Sequence, residues 1–212
     1  MSERTVDASD WDARYAATDL VWSTGPNVWV RELCAPLTPG RALDVAAGEG
    51  RNALWLVEQG WTVTAADYSS VAVSRVREIA EQRLDEATRG RLEAVVADAT
   101  HPAPGTAYDL VLFSYLHLPP EQWERAIATG VDATAVGGVV LVVAHARRNL
   151  AEGVGGPQDP AILLDPEDVL ASVAHLPVVV ELAQLRARDV EGAPRPALDT
   201  VVLLRRTEGP VA

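Results

Sequence analysis

Two aspartates flank a glycine-rich turn in the sequence between positions 41 and 67. Asp44 lies inside an apolar run, Gly48 and Gly50 form the turn that follows, and Asp67 ends the next apolar run. Glycine lets a backbone come close to a ligand because it has no Cβ, and a helix predicted over 51–59 directs its N-terminal amides at the same place. An acid about 20 residues after the glycines is placed to bind ribose hydroxyls. The spacing therefore predicts a site for an adenosine-containing cofactor.

Asp44 bears on the identity of that cofactor. The dinucleotide fingerprint G-x-G-x-x-G sets a helix N-terminus against a pyrophosphate, and Ala53 at the third glycine position is compatible with it. Asp44, however, lies four residues before Gly48, inside the predicted strand. Its charge there would repel a pyrophosphate and attract an ammonium group. The sequence thus favours S-adenosylmethionine, which has an adenosine and a zwitterionic amino acid but no phosphate.

The motif LDVAAGEGRNALWL, with acids ending the second and third predicted strands, resembles class I S-adenosylmethionine-dependent methyltransferases. Within that class, GEGRNALWL and the N-terminal run WDARYAATDLVWSTGPN are similar to the branch of tellurite-resistance and thiopurine methyltransferases. The resemblance spans Trp11 to Arg206. It implies a Rossmann-like three-layer αβα sandwich with a seven-stranded, mainly parallel sheet and an antiparallel last strand. One departure is Ala46, where the family usually has glycine; alanine is small enough that cofactor binding is expected to survive.

The ends of the predicted strands collect the candidate cofactor residues, because ligands of open α/β sheets bind beyond the carboxyl ends of the strands. Asp67 is predicted to accept hydrogen bonds from the ribose, with helix capping as the alternative. By resemblance, Asp98 accepts from the adenine amino group and the Ala99 amide faces the ring; a turn-forming role is the alternative for Asp98. Asp44 either orients the glycine turn or meets the ammonium group. The predicted cofactor site comprises Asp44, Ala46, Gly48, Gly50, Asp67, Tyr68, Asp98, Ala99, Ser114 and Trp22.

The methyl acceptor is predicted to bind beside the segment that follows the fourth strand. His117 in that segment is the candidate general base for a hydroxyl or thiol acceptor, with a loop histidine bonded to backbone as the alternative. By resemblance, the N-terminal arm folds over the cofactor and acceptor, so Trp22 or Tyr15 is placed to cap the sulfonium, since aromatic faces attract cations. A tryptophan that fastens the arm to the core is the plainer account. By resemblance, Arg186 and Arg188, with Asp189, lie near the active site; an exposed edge strand protected by charge is the plainer account.

The composition of the chain limits the kinds of partner that it can bind. The chain has 212 residues and is 48% hydrophobic, enough for one domain, and its net charge of −12 argues against a nucleic-acid partner. The single Cys34 fits a reducing cytoplasm. The polar N-terminus and the lack of a long apolar run predict a cytoplasmic protein with no membrane partner, as a monomer or homodimer. His145, His175 and Cys34 lack the spacing of metal ligands, so no metal is assigned.

The alternation of apolar runs and amphipathic segments predicts the elements. Strands are expected at 42–47, 62–67, 92–98, 108–115, 139–144, 178–188 and 200–206, and helices at 27–37, 51–59, 70–88, 120–136 and 166–174. The Gly/Pro-rich stretch 149–160 is expected to be a mobile connection. Residues 1–40 are expected to form an arm and helix packed over the cleft, and 41–208 the methyltransferase domain.

The predicted function is transfer of a methyl group from S-adenosylmethionine to a small molecule: a thiol, a hydroxyl or a chalcogen oxyanion. One alternative is a non-catalytic sensor or scaffold that keeps the cofactor pocket. Another is a nicotinamide-dependent reductase, which is disfavoured because the chain has no lysine and so no Tyr-x-x-x-Lys pair. A methyltransferase acting on RNA or protein is disfavoured by the acidic charge.

Overall fold

The computed structural model describes residues 25–102, 105 and 107–209, and its centre is one seven-stranded sheet. The strands are β1 Arg41–Val45, β2 Thr62–Asp67, β3 Leu92–Val96, β4 Tyr108–Ser114, β5 Thr134–His145, β6 Val178–Arg188 and β7 Ala197–Arg206. Their spatial order is β3-β2-β1-β4-β5-β7-β6. Strands β1 to β5 pair in parallel, and β7 runs antiparallel between β5 and β6. The predicted Rossmann-like sheet with an antiparallel last strand is confirmed.

Helices cover both faces of this sheet. They are α1 Val28–Cys34, α2 Arg51–Glu58, α3 Ser70–Arg83, α4 Glu86–Arg89, α5 Pro120–Ala133, α6 Asn149–Glu152 and α7 Pro166–Val173, with a 3-10 turn at Pro160–Ile162. Helices α1, α2 and α3 contribute to one hydrophobic cluster, and α5 and α7 to another. Because the central strands are buried on both faces, their sequences are nearly continuous apolar runs. A polar residue in such a run is therefore informative.

The long helix predicted over 70–88 is in fact two helices. Ser69 caps α3 through a hydrogen bond from the Ala72 amide, as predicted, but α3 ends at Arg83. Leu84 adopts an extended conformation. Asp85 then accepts a hydrogen bond from the Thr88 amide at 2.7 Å and caps α4. An aspartate competes for backbone donors in this way, so it starts a new helix more readily than it continues one.

Strand β5 begins at Thr134, whereas the sequence predicted a turn at Gly137 and Gly138 before a strand starting at Val139. Both glycines lie inside the strand. Gly137 has a φ of 81°, and the β4–β5 register shifts between Tyr108 and Leu110. A Cβ on Gly138 would come 2.9 Å from the Tyr108 carbonyl oxygen. The glycines mark an irregularity where two strands approach closely, not a loop.

The stretch 149–160, predicted as a mobile connection, contains α6 and the start of the 3-10 turn. The buried Asn149 side chain donates to the carbonyls of Val154 and Gly155 at 3.3 and 2.9 Å. Its carbonyl oxygen accepts from the Leu198 amide of β7 at 2.7 Å. One polar side chain thus fastens this stretch to the sheet.

Residues 1–24 lie outside the described residues, so the predicted capping of the sulfonium by Trp22 or Tyr15 stays a prediction. Within the described part of the chain, every helix is too short or too polar to cross a lipid bilayer.

Candidate functional site

The carboxyl ends of β1, β2, β4 and β5 open into one large cleft. It is lined by most of the residues predicted to bind the cofactor or acceptor: Ala46, Gly48, Asp67, Tyr68, Asp98, Ala99, Ser114 and His117. Asp44 and Gly50 lie beneath this lining, Asp44 as a buried residue of β1 and Gly50 as the N-cap of α2. The topology therefore brings the predicted residues of the described chain to one end of the sheet.

The turn after β1 has an unusual backbone. Ala46 and Gly48 both have a φ of 56°, and Gly50 has a φ of 79°. A residue with a Cβ in this left-handed region is disfavoured by about 1–2 kcal/mol, so Ala46 is strained where glycine would not be. Gly50 has a second constraint, because a Cβ there would lie 2.9 Å from Val76 Cγ2 of α3.

Asp67 ties the end of β2 to this turn. Its Oδ2 accepts a hydrogen bond of 2.7 Å from the Gly48 amide, and its Oδ1 accepts one of 2.9 Å from the Ser69 amide. The alternative predicted for Asp67, a local role at the start of the next helix, is therefore partly realised. Asp67 also lines the cleft, so the same carboxylate that holds the turn borders the cofactor site.

Asp44 is an acid buried in the middle of the sheet, with 1% of its surface exposed. Neither of its oxygens has a hydrogen-bond partner among the described residues. Burial raises the pKa of Asp44 to about 7, against the opposing attraction of the Arg51 guanidinium and of the Ala53 amide, which lies close to the carboxyl group without meeting the geometry of a hydrogen bond.

Asp98 lies beside an apolar pocket at the mouth of the cleft. Val45, Ala66 and Phe113 contribute to the walls of this pocket. The Oδ1 of Asp98 accepts from the backbone amide and the hydroxyl of Thr100, both at 2.8 Å. Burial alone would raise the pKa of Asp98, but these bonds and His101 outweigh it, so the pKa is lowered. The carboxylate is ionised and also closes a turn, which was the alternative predicted for it.

These features fit S-adenosylmethionine. An apolar pocket next to an ionised acid suits adenine and its amino group, and Asp67 at the end of β2 suits the ribose hydroxyls. The close backbone of the turn beside Ala46 and Gly48 leaves room for the amino-acid portion. The buried, unpartnered Asp44 carboxyl lies under the same turn and favours a nearby cation.

The other side of the cleft holds a stack of three rings. Tyr115 and His145 lie 4.6 Å apart between ring centroids, and His117 and His145 lie 5.6 Å apart with planes within 7°. Burial, and to a lesser degree His145, lowers the pKa of His117 to about 4. The Nε2 of His117 is buried without a hydrogen-bond partner among the described residues. His117 is therefore neutral at physiological pH.

A buried carboxylate on β7 organises this stack. Asp199 is fully buried, and its Oδ2 accepts from Trp29 Nε1, the Tyr115 hydroxyl and Arg188 Nε at 2.9, 2.9 and 2.7 Å. Its Oδ1 lies 3.4 Å from His145 Nδ1. Burial on its own would raise the pKa of Asp199, but these donors lower it. The carboxylate therefore stays charged in a dry environment.

Helix α1 meets the same region through Asn27, its N-cap. The Asn27 side chain accepts from the Trp29 amide at 2.8 Å and donates to the Tyr115 hydroxyl at 3.0 Å. The backbone amide of Asn27 donates to Oδ1 of Asn52, near the start of α2, at 2.9 Å. A hydrogen-bond network therefore links the cofactor turn to the ring stack.

The sequence reasoning missed Asp199, Asn27 and the role of His145. Asp199 carried the same signal as Asp44, an acid within an otherwise apolar strand, and could have been found by it. His145 was considered only as a metal ligand. Among the described residues, no group of three or more His, Cys, Asp or Glu side chains is arranged to hold a metal ion.

Arg188, which the sequence placed either at the active site or on a charged edge, lines the cleft. Its guanidinium lies 5.7 Å from the centroid of the Tyr115 ring. Arg186, two residues earlier in β6, instead pairs with Glu32 at 2.9 Å and lies over the Trp29 ring.

Comparison with known proteins agrees with the geometry. Residues 42–138 match a family model described as a methyltransferase domain. This range runs from β1 into β5 and includes both predicted nucleoside-binding acids. The match covers slightly less than half of the chain and agrees with the predicted enzyme class, a methyltransferase.

Similar solved structures share the fold over most of the chain. A structure from work on the conversion of a disulfide bond into a thioacetal group during echinomycin biosynthesis is 21% identical, with a TM-score of 0.75, and the alignment covers 94% of this chain and 93% of that one. The glycopeptide N-methyltransferase MtfA complexed with S-adenosylmethionine is 19% identical, with a TM-score of 0.66 and coverage of 84% and 92%. TehB from Haemophilus influenzae is 18% identical, with a TM-score of 0.66 and coverage of 94% and 67%.

A curated relative also matches in sequence. Hemagglutinin 1 of Eikenella corrodens is 31% identical over 118 residues, which are 54% of this chain and 37% of that protein. The match thus spans little more than a third of the relative's length.

Proposed function

We propose that this protein transfers the methyl group of S-adenosylmethionine to a small molecule bound beside Tyr115, His117 and His145. The proposal rests on one observation: two walls with different side-chain chemistry line the same cleft. One wall, with Ala46, Gly48, Asp67 and Asp98, fits a nucleoside and an amino acid. The other is a polar and aromatic wall organised by a buried carboxylate.

The residues of the cofactor wall have separate roles in this proposal. Asp67, which lines the cleft at the end of β2, binds the ribose hydroxyls, and Asp98 accepts from the adenine amino group. When bound, the cofactor supplies an electrophilic methyl group on a sulfonium. The protein then has to align the acceptor and strip it of water, which is where most of the rate gain in such a displacement arises.

A small acceptor is supported by the overall charge of the chain, which is −12. A strongly acidic protein repels the phosphates of RNA. The cleft itself carries both signs of charge, with acids such as Asp67 and Asp98 and the arginines Arg51, Arg125 and Arg188. The acceptor in this proposal is a thiol, a hydroxyl or a chalcogen oxyanion.

The assignment to the branch of tellurite-resistance and thiopurine methyltransferases is also a proposal. It rests on GEGRNALWL and the N-terminal run in the sequence. The fold does not discriminate between branches, because TehB and the glycopeptide N-methyltransferase superpose with the same TM-score of 0.66.

Calorimetric titration with S-adenosylhomocysteine tests the cofactor site. Asp67→Ala is expected to weaken binding at least tenfold, about 1.4 kcal/mol. Asp109→Ala is the matched control, because Asp109 also accepts from a backbone amide, that of Arg41, but at the amino-terminal edge of the parallel strands. Equal affinities for wild type and Asp67→Ala would refute the site.

Methyl transfer is tested with methyl-labelled S-adenosylmethionine and a panel of thiols, phenols and selenite. Label in at least one small-molecule product is expected. Tight binding of the cofactor product together with no labelled product across the panel would favour the non-catalytic sensor.

A further inference from the structure

The Asp199 carboxylate is used asymmetrically. Three donors, from Trp29, Tyr115 and Arg188, all bind Oδ2. The Oδ1 is buried and has no hydrogen bond within normal limits, and the polar atom set against it is His145 Nδ1 at 3.4 Å. Hydrogen bonds of catalytic groups are often this long in the absence of ligand and shorten when the site is filled. Oδ1 of Asp199 therefore lies next to Nδ1 of His145, while Oδ2 binds the other three donors.

The pairing of these two residues is fixed by the sheet itself. His145 is the last residue of β5 and lies directly opposite Asp199 in the antiparallel β5–β7 register. Directly opposed residues in such a pair project from the same face with Cβ atoms about 5 Å apart. The contact therefore does not depend on a loop.

The imidazole is also held on its sides. Tyr115 stacks on it at 4.6 Å. Gly156, with a φ of 77°, packs so closely that a Cβ there would lie 2.7 Å from His145 Cδ2 and 3.0 Å from Nε2. Nδ1 is buried, whereas the side chain as a whole keeps 13% exposure and lines the cleft. A ring packed in this way cannot easily flip to exchange its nitrogens.

This geometry selects one tautomer. A neutral imidazole has one N–H donor and one acceptor nitrogen. A proton on Nδ1 lies beside an ionised carboxylate oxygen 3.4 Å away, which attracts it; the lone pair of the neutral ring is then on Nε2. An acid placed behind a histidine in this way orients the ring and stabilises the imidazolium that forms on proton uptake.

We propose that His145, held in its Nδ1–H tautomer by Asp199, takes the proton of the methyl acceptor, and that the acceptor is therefore a thiol or hydroxyl rather than an oxyanion. This inference rests on the proposed function. The acceptor's S–H or O–H bond breaks and its proton moves to Nε2 of His145. Its electron pair forms the bond to the methyl carbon, and the pair of the broken carbon–sulfur bond stays on the departing sulfur.

His117 was the base predicted from the sequence, and the structure provides a reason to prefer its neighbour. The Nε2 of His117 is buried without a partner among the described residues, and the attraction of Asp199 only partly opposes the effect of burial on the pKa of His117. Its pKa, near 4, makes it a weak base at neutral pH. In this proposal, His117 is one wall of the acceptor site.

The tautomer can be measured directly. Long-range ¹H–¹⁵N spectra of protein labelled at its four histidines, with His145 assigned from His145→Gln, report which nitrogen carries the proton. The proposal expects the Nδ1–H form in wild type and a shift toward Nε2–H in Asp199→Asn. A wild-type Nε2–H form, or no change in Asp199→Asn, would overturn it. The same samples are titrated with S-adenosylhomocysteine: binding with the wrong tautomer removes this inference alone, and absence of binding removes the proposed function as well.

Turnover separates a proton acceptor from a purely structural histidine. The probes are 2-mercaptoethanol, which is mostly protonated at neutral pH, 4-nitrothiophenol, which is mostly ionised, and selenite. His145→Gln is expected to slow methylation of 2-mercaptoethanol about 100-fold or more but that of 4-nitrothiophenol less than tenfold. His117→Gln, which removes only a ring of the stack, should slow both thiols equally. Equal losses for both thiols in His145→Gln, or wild-type methylation of selenite and of neither thiol, would overturn the proposal.

Discussion

The Asp67 carboxylate accepts a 2.7 Å hydrogen bond from the Gly48 amide, so the acid that ends β2 holds the turn that follows β1. The two parts of the nucleoside site are therefore mechanically coupled, although they are 19 residues apart in sequence. A change that relaxes the turn should act on the cofactor site as well as on stability. The first prediction uses this coupling.

Ala46→Gly is expected to stabilise the protein by about 0.5–1 kcal/mol. It removes about 1–2 kcal/mol of left-handed backbone strain from the folded state, and part of this gain is offset because glycine increases the conformational entropy of the unfolded chain. It should also leave affinity for S-adenosylhomocysteine equal or higher. Urea unfolding measures the first quantity and calorimetry the second. Ala47→Gly is the control, since Ala47 has no positive φ, and it should destabilise. A loss of stability in Ala46→Gly similar to that in Ala47→Gly would contradict the strain.

Asp44→Asn should change how stability depends on pH. The pKa of Asp44 in the folded protein, about 7, lies above its ordinary value of 3.8, so the contribution of Asp44 to stability is fully present below pH 4 and is lost as the pH rises through 7. Asparagine does not ionise, so the variant should gain stability relative to wild type between pH 4 and 8, by up to about 4 kcal/mol. Urea unfolding at pH 4 and pH 8 checks this. If the difference in unfolding free energy between wild type and Asp44→Asn is the same at both pH values, the prediction is wrong.

His117→Gln should remove a sensitivity to acid. The pKa of His117 in the folded protein, about 4, lies below its ordinary value of 6.5. The unfolded chain therefore binds a proton first, and stability is lost as the pH falls from 6.5 toward 4, by up to about 3 kcal/mol. The variant should lose less stability over this range than wild type does. His175→Gln, at an exposed position, should behave like wild type, and identical slopes in all three proteins would refute the prediction.

Gly156→Ala tests the packing of His145, and Gly155→Ala is its matched control. Gly155 and Gly156 have φ values of 70° and 77°, so alanine is strained by a similar amount at either position. A Cβ at Gly155 meets nothing within 4 Å, whereas one at Gly156 meets the His145 ring. Gly156→Ala should therefore reduce methyl transfer at least tenfold more than Gly155→Ala, with similar affinity for S-adenosylhomocysteine. Equal activities would show that the ring position does not matter.

The sheet and the cofactor wall were predictable because they depend on local patterns. Apolar runs that end in glycine or aspartate placed Gly48, Asp67 and Asp98 at strand ends, and the topology of parallel sheets brings such ends together. Two boundaries were predicted wrongly. The helix ends at Arg83 because Asp85 caps a new helix instead of continuing the old one. Strand β5 starts before Val139 because its first residues pair with β4.

The acceptor wall was less predictable for a different reason. Asp199 and His145 are far apart in sequence and meet through an antiparallel register that no local pattern specifies. Asn27 could be expected to cap α1, but its bond to Tyr115 joins elements 88 residues apart. Long-range polar contacts of this kind require the fold to be known first.

A crystal structure of the protein with S-adenosylhomocysteine tests the central claim most directly. The account predicts that the ribose hydroxyls lie on Asp67, that the adenine amino group lies on Asp98, and that the sulfur faces the ring of His145. A ligand bound elsewhere, or one whose ribose makes no contact with Asp67, would contradict it.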